Sequence, residues 1–85
     1  METDQNDKPL SHSVKGSVKA AVKEYLDTMD DQKITDLYEL VLAEVEAPLL
    51  ECVLQFTGNN QSQTAAILGL NRGTLRTKLR KYRLL

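Results

Sequence analysis

"GLNRGTLRTKLRKY", residues 69 to 82, joins a glycine, a helix-capping asparagine and a helical run with five basic side chains and no acid. Glycine adopts the left-handed backbone that closes a helix, so Gly69 reads as a turn between two helices. Asn71 is a favoured N-cap, which starts a last helix from about Arg72 to Tyr82. Leu70 before the cap and Leu75 four positions into the helix form a hydrophobic staple. Upstream, "QSQTAAIL" after Asn60 reads as a second short helix. Two short helices joined by a tight glycine turn make a helix-turn-helix, with Ala65 as the close helix contact and Leu75 as the core anchor.

At about 100° per residue, Leu75, Leu79 and Tyr82 share one face of the last helix. Gly73, Thr77, Arg80 and Lys81 point the opposite way, flanked by Thr74, Arg76 and Lys78. An anchored inner face and a cationic outer face are the layout of a recognition helix: its first residues reach base edges while Lys and Arg bind phosphates. A basic amphipathic helix can also be a merely solvated surface. That reading is disfavoured by the absence of any acid over residues 58 to 85, by the Asn cap and by the glycine at helix-turn-helix spacing.

Before this region lies a longer apolar run. Thr35 offers an N-cap for a second helix, with Asp36 and Glu39 near its positive end. Leu37, Tyr38, Leu40, Val41, Leu42, Val45, Leu49, Leu50, Cys52, Val53, Leu54 and Phe56 cover more than one side of it. A helix apolar on several sides must be covered on several sides, and a second copy of the chain is the simplest source of that cover. Pro48 falls inside the run and predicts a kink, not a break. "TGNN" at 57 to 60 ends it.

Further back, Leu10, Val14, Val18, Val22, Leu26 and Met29 recur at steps of three or four, one stripe of an amphipathic first helix. Ser11 or Ser13 can cap it, Gly16 weakens its first turns, and "DTMDDQK" interrupts the pattern. Residues 1 to 9 are polar and aperiodic and read as a disordered arm. The fold class is therefore all-α: four helices, with residues 10 to 57 as dimerisation helices and residues 58 to 85 as the helix-turn-helix.

Composition bounds the function. A chain of 85 residues buries too small a core to stand easily alone, so oligomerisation is expected. Residues 1 to 57 hold twelve acids and five lysines, whereas residues 58 to 85 hold six bases and no acid; the overall charge of -1 conceals a strong dipole. Such a split means that one end meets a polyanion and the other avoids it. A single cysteine, Cys52, and the lack of a signal-peptide pattern in "METDQNDKP" point to a reducing cytoplasm. No apolar run approaches the about 18 residues of a membrane span. His12 and Cys52 lie in different predicted helices without metal or nucleophile context, so no enzyme activity, metal or cofactor is expected, and Cys52 reads as a buried small apolar residue. Glu44 and Glu46, two apart on a helix, diverge and read as solvated carboxylates that repel DNA.

"GNNQSQTAAILGLNRGTLRTKLRKY" resembles the DNA-binding end of the Fis family, the factors for inversion stimulation, and of the nitrogen-regulator type of enhancer-binding activators. "DLYELVLAEVEAPLL", with Pro48, is similar to the Fis core and selects Fis over the activators, the resemblance extending over roughly residues 14 to 85. It implies an intertwined homodimer with Leu37, Val41, Val45, Leu49 and Val53 in its core. It also implies two recognition helices closer than one DNA turn, hence DNA bending, degenerate sites with A·T-rich centres, and a bacterial nucleoid protein acting in transcription regulation, with RNA polymerase as a candidate partner. By position, Asn71 and Arg72 correspond to the base-reading pair; Arg suits guanine O6 and N7. Asn60, Ser62, Thr74 and Lys78 match positions that hold the DNA backbone, and Arg76, Arg80 and Lys81 line the groove, with Thr77 among them. Gly58, Gln63 and Thr77 stand where the family commonly carries basic residues, which weakens phosphate binding.

The resemblance also implies a recombination-enhancing β-hairpin ahead of the first helix. "METDQNDKP" has no alternating β-branched run, so the expectation is weak or absent recombinase activation. The competing reading is a helical dimerisation and protein-interaction module that does not bind DNA. It accounts for the first two helices equally well and leaves Asn71, Arg72 and the acid-free face without a role.

Overall fold

A computed structural model describes residues 13–29 and 33–85. The arm expected at residues 1 to 9, together with Leu10, Ser11 and His12, lies outside the described residues. Among those described the chain is all-α, with α1 (Val14–Thr28), α2 (Leu37–Phe56), α3 (Gln61–Leu68) and α4 (Arg72–Lys81) in order. It divides into two compact units, Met1–Thr35 and Asp36–Leu85, so α2 shares a unit with the last two helices.

In the first unit, Ser13 is the cap: its hydroxyl accepts the Gly16 N–H at 3.0 Å. The helix ends at Thr28, whose hydroxyl donates to the Glu24 carbonyl at 2.8 Å. Val14 and Leu26, members of the expected stripe, are exposed.

In the second unit the expected Thr35 cap is replaced by Asp36, which enters α2 with φ 57° and makes no side-chain cap bond. Asp tolerates the left-handed region better than a β-branched residue does, so Asp36 takes the cap position and Thr35 stays outside the helix. α2 runs unbroken through Pro48, although a proline cannot donate to the carbonyl one turn earlier. Its end is closed by two bonds, Asn59 N–H to the Leu54 carbonyl at 2.8 Å and Gly58 N–H to the Gln55 carbonyl at 3.2 Å. That Schellman pattern needs a left-handed residue, and Gly58 supplies it at φ 64°. A basic side chain at this position would be strained, which is a local reason for glycine here.

The core of this unit is built from Leu50, Leu54, Ala65, Leu75 and Leu79, with Leu68, Leu70, Tyr82 and Leu84 packed against it. The spacing of Leu50 and Leu54 aims both at α3 and α4, and Leu75 and Leu79 answer from α4 with no accessible surface left. Thr64, also fully buried, has its hydroxyl 2.7 Å from that of Thr57 at the end of α2. Burying the Thr64 hydroxyl is tolerable because it is paired with that of the half-buried Thr57, which also accepts the Asn60 N–H at 3.2 Å. The α2–α3 corner is thereby fixed by polar contacts as well as by leucines.

Cys52 corrects the sequence expectation of burial: it is exposed. It points off α2 away from the side occupied by Leu50 and Leu54, where α3 and α4 give it no cover.

Candidate nucleic-acid interface

The turn that aims α4 is made by two residues. Gly69 takes φ 75° and its N–H donates to the Ala66 carbonyl at 3.2 Å, while the Leu70 N–H donates to the Ala65 carbonyl at 2.9 Å. This second Schellman closure places Leu70 on the core beside Leu75, as the staple requires. The chain then leaves extended at Asn71, whose Oδ1 accepts the Thr74 N–H at 2.8 Å. Among the described residues only the oxygen of the amide is engaged, so the two N–H donors of Asn71 remain at the helix start, next to the exposed side chain of Arg72. Asn60 caps α3 in the same way, accepting the Gln63 N–H at 3.0 Å, and Ser62 is exposed in the first turn that follows.

α4 presents its remaining predicted residues in three states. Arg72, Thr74, Thr77, Arg80 and Lys81 are exposed. The Thr77 hydroxyl turns back to donate to the Gly73 carbonyl at 3.1 Å. Arg76 is half-buried, and one guanidinium nitrogen donates to Gln61 Oε1 at 2.7 Å. That bond ties the start of α3 to the middle of α4. Lys78 is half-buried and its ammonium lies 2.8 Å from Glu46 Oε2.

Glu46 departs from the expectation of a solvated carboxylate. While Glu44 is exposed, the Glu46 side chain is only 17% accessible and also accepts from the Tyr82 hydroxyl at 2.5 Å. Lys78 and then Tyr82, both bonded to it, hold its carboxyl below the ordinary value, and partial desolvation opposes them. The same bond pushes the Tyr82 hydroxyl up to about 12, helped by burial and the neighbouring carboxylates. Lys81, by contrast, sits 3.6 Å from Glu39 with both side chains in solvent. Its ammonium also stands 5.4 Å from the centre of the Tyr82 ring.

Gln61, Glu46 and Tyr82's hydroxyl were absent from the sequence-derived site. Glu46 and Tyr82 are 36 residues apart, and no local spacing signals their meeting. Among the described residues, no three His, Cys, Asp or Glu side chains converge to hold a metal, and no helix is long and apolar enough to cross a membrane.

A short supporting helix, a left-handed glycine turn and an exposed basic second helix locked onto a shared core define a helix-turn-helix protein. The profile of the family described as bacterial regulatory protein, Fis family, matches residues 41–82. A protein of Vibrio cholerae serotype O1 named DNA-binding protein Fis is 55% identical over 75 residues, 88% of this chain and 72% of that one. Proteins of the same name from Vibrio campbellii and Histophilus somni match with the same identity and coverage. The chain belongs to the Fis family.

Proposed function

We propose that this protein is a homodimeric, nucleoid-associated regulator that binds and bends double-stranded DNA in the bacterial cytoplasm. The observation that carries the reading is the start of α4, where Asn71 keeps its amide donors free beside an exposed Arg72 while Leu75 and Leu79 hold the helix from beneath. Arg72 reads guanine O6 and N7, and Asn71 reaches a neighbouring base. Asn60, Ser62, Thr74 and Lys78 contact the DNA backbone; Arg76, Thr77, Arg80 and Lys81 line the groove and its flanks. Transcription regulation, with RNA polymerase as a candidate partner, belongs to the same proposal and is supported by the match to a family described as bacterial regulatory protein.

The dimer is assigned to the helices within residues 10 to 57, with Leu37, Val41, Val45, Leu49 and Val53 of α2 at its centre, and DNA binding to residues 58 to 85. What supports it is the apolar surface that α2 leaves uncovered, Leu49 at 49% accessible and Phe56 at 83%. Two recognition helices closer than the roughly 34 Å between successive major grooves on one face force the duplex to bend and its central minor groove to narrow. A·T-rich centres lower that deformation cost at positions the protein never touches.

The test is circular-permutation gel mobility on duplexes with fixed flanking guanines and either an A·T-rich or a G·C-rich centre. The expected result is a bend and weaker binding to the G·C-rich centre. Equal affinity and a straight duplex overturn the bending; no binding to any duplex overturns the function.

A further inference from the structure

Two lysines one turn apart on α4 differ in what holds them. Lys81 has only a 3.6 Å, solvent-exposed contact to Glu39, a pair that water and salt screen almost completely. Lys78 is 2.8 Å from a carboxylate that is largely shielded from water and whose other oxygen is engaged by Tyr82. Lys78 and Tyr82 are four residues apart, so Glu46 grips one full turn of α4 from α2.

We propose that Glu46 is a positioning residue for DNA binding: it anchors α4 through the Tyr82 hydroxyl and holds the Lys78 charge in check. The inference rests on α4 being the DNA-contacting helix. A phosphate approaching Lys78 meets one of two situations. Either the ammonium stays with Glu46, its charge already offset, or it leaves and exposes a carboxylate beside the phosphate. In both cases Lys78 releases fewer counterions than an unpaired lysine does. The result is a basic face whose electrostatic strength is set from α2, so that non-specific affinity is restrained while Arg72 and Asn71 keep their reading position.

The distinguishing experiment measures affinity of the full chain for random-sequence duplex as a function of salt, in a cycle of wild type, Glu46→Gln, Lys78→Ala and the double variant. Glutamine keeps an oxygen for the Tyr82 hydroxyl and removes the negative charge that offsets the Lys78 ammonium. Glu46→Gln is expected to steepen the log–log salt slope by about 0.9 and raise low-salt affinity about fivefold. Lys78→Ala alone is expected to move the slope by less than about 0.4, and in the Glu46→Gln background by about 0.9. Tyr82→Phe, which leaves the Lys78 pair in place, is expected to lower Tm without moving the slope.

A purely structural Glu46 gives a lower Tm and an unchanged slope in Glu46→Gln, and that result overturns the proposal. So does a loss of about 0.9 on Lys78→Ala in the wild-type background, a measurement that decides the matter even if Glu46→Gln does not fold. Failure of the wild type to bind any duplex instead overturns the functional reading beneath it.

Discussion

α2 and α4 share a compact unit and treat their apolar side chains in opposite ways. α4 has two leucines, Leu75 and Leu79, and both are completely enclosed. α2 is far richer in apolar residues, yet only Leu50 and Leu54 are buried, while Tyr38, Leu40, Val45, Leu49 and Phe56 are exposed. The difference is one of supply. A helix with a single narrow stripe is satisfied by one partner surface, and the corner of α2 and α3 provides it. A helix apolar all round outruns what two short helices can cover, and hydrophobic surface left in water is worth roughly 25 cal/mol per Å² to whatever covers it. The C-terminal helices thus enclose their leucines within one chain, whereas α2 is left with the apolar surface that the proposed dimer covers.

The sharpest way to break this contrast is Leu49→Glu. Within one protomer the side chain is half in solvent and a charge there costs little. In the proposed dimer it enters the shared core, and the expected outcome is loss of both dimer and helical structure, because seam and core are one. Sedimentation combined with circular dichroism checks it; an undisturbed folded dimer, or a folded wild-type monomer, breaks the comparison.

Leu75→Ala addresses the other side. Removing a fully enclosed leucine is expected to cost about 2–5 kcal/mol, with DNA binding lost as α4 detaches from its support. Dimerisation through α2 is expected to survive. Equilibrium denaturation gives the magnitude, and a loss below about 1 kcal/mol shows that the site collapses around the cavity.

A smaller effect separates reading from holding. Arg72→Ala is expected to remove about 1–3 kcal/mol of discrimination at one guanine, whereas Lys81→Ala weakens all sequences alike and lowers the salt slope by about one. Identical profiles for the two variants across a panel of sites contradict their division of labour.

The smallest effect is on pH. The carboxyl of Glu46 is depressed in the folded chain, so its contacts stabilise fully above the ordinary glutamate value of 4.5 and are lost as pH falls through the lower folded value. The stability difference between wild type and Glu46→Gln is therefore expected to shrink on acidification below that value. At the alkaline end the Tyr82 hydroxyl, raised to about 12, keeps its contribution through the ordinary value of 10.0 and loses it as pH rises towards 12. Denaturant titrations of both proteins across the acid range detect a crossing of the wrong sign.

Local chemistry alone determined most of the C-terminal end. Asn60 and Asn71 cap their helices, Gly69 closes α3 in the left-handed region, and Leu75 anchors α4, because capping, turn geometry and the 3.6-residue period act over a handful of neighbours. Asp36 stands in place of the expected Thr35 cap because it takes the left-handed cap position itself, an alternative that propensity does not separate. The acid-free charge of residues 58 to 85 is likewise plain in the sequence. Which of those charges is free was decided only by the tertiary structure. It brought Glu46 against Lys78 and Tyr82, Gln61 against Arg76, and Thr57 against Thr64, and it turned Cys52 outward. Each of these depends on where one helix lies across another, a geometry set by the enclosed leucines between them, and no periodicity within either helix encodes it.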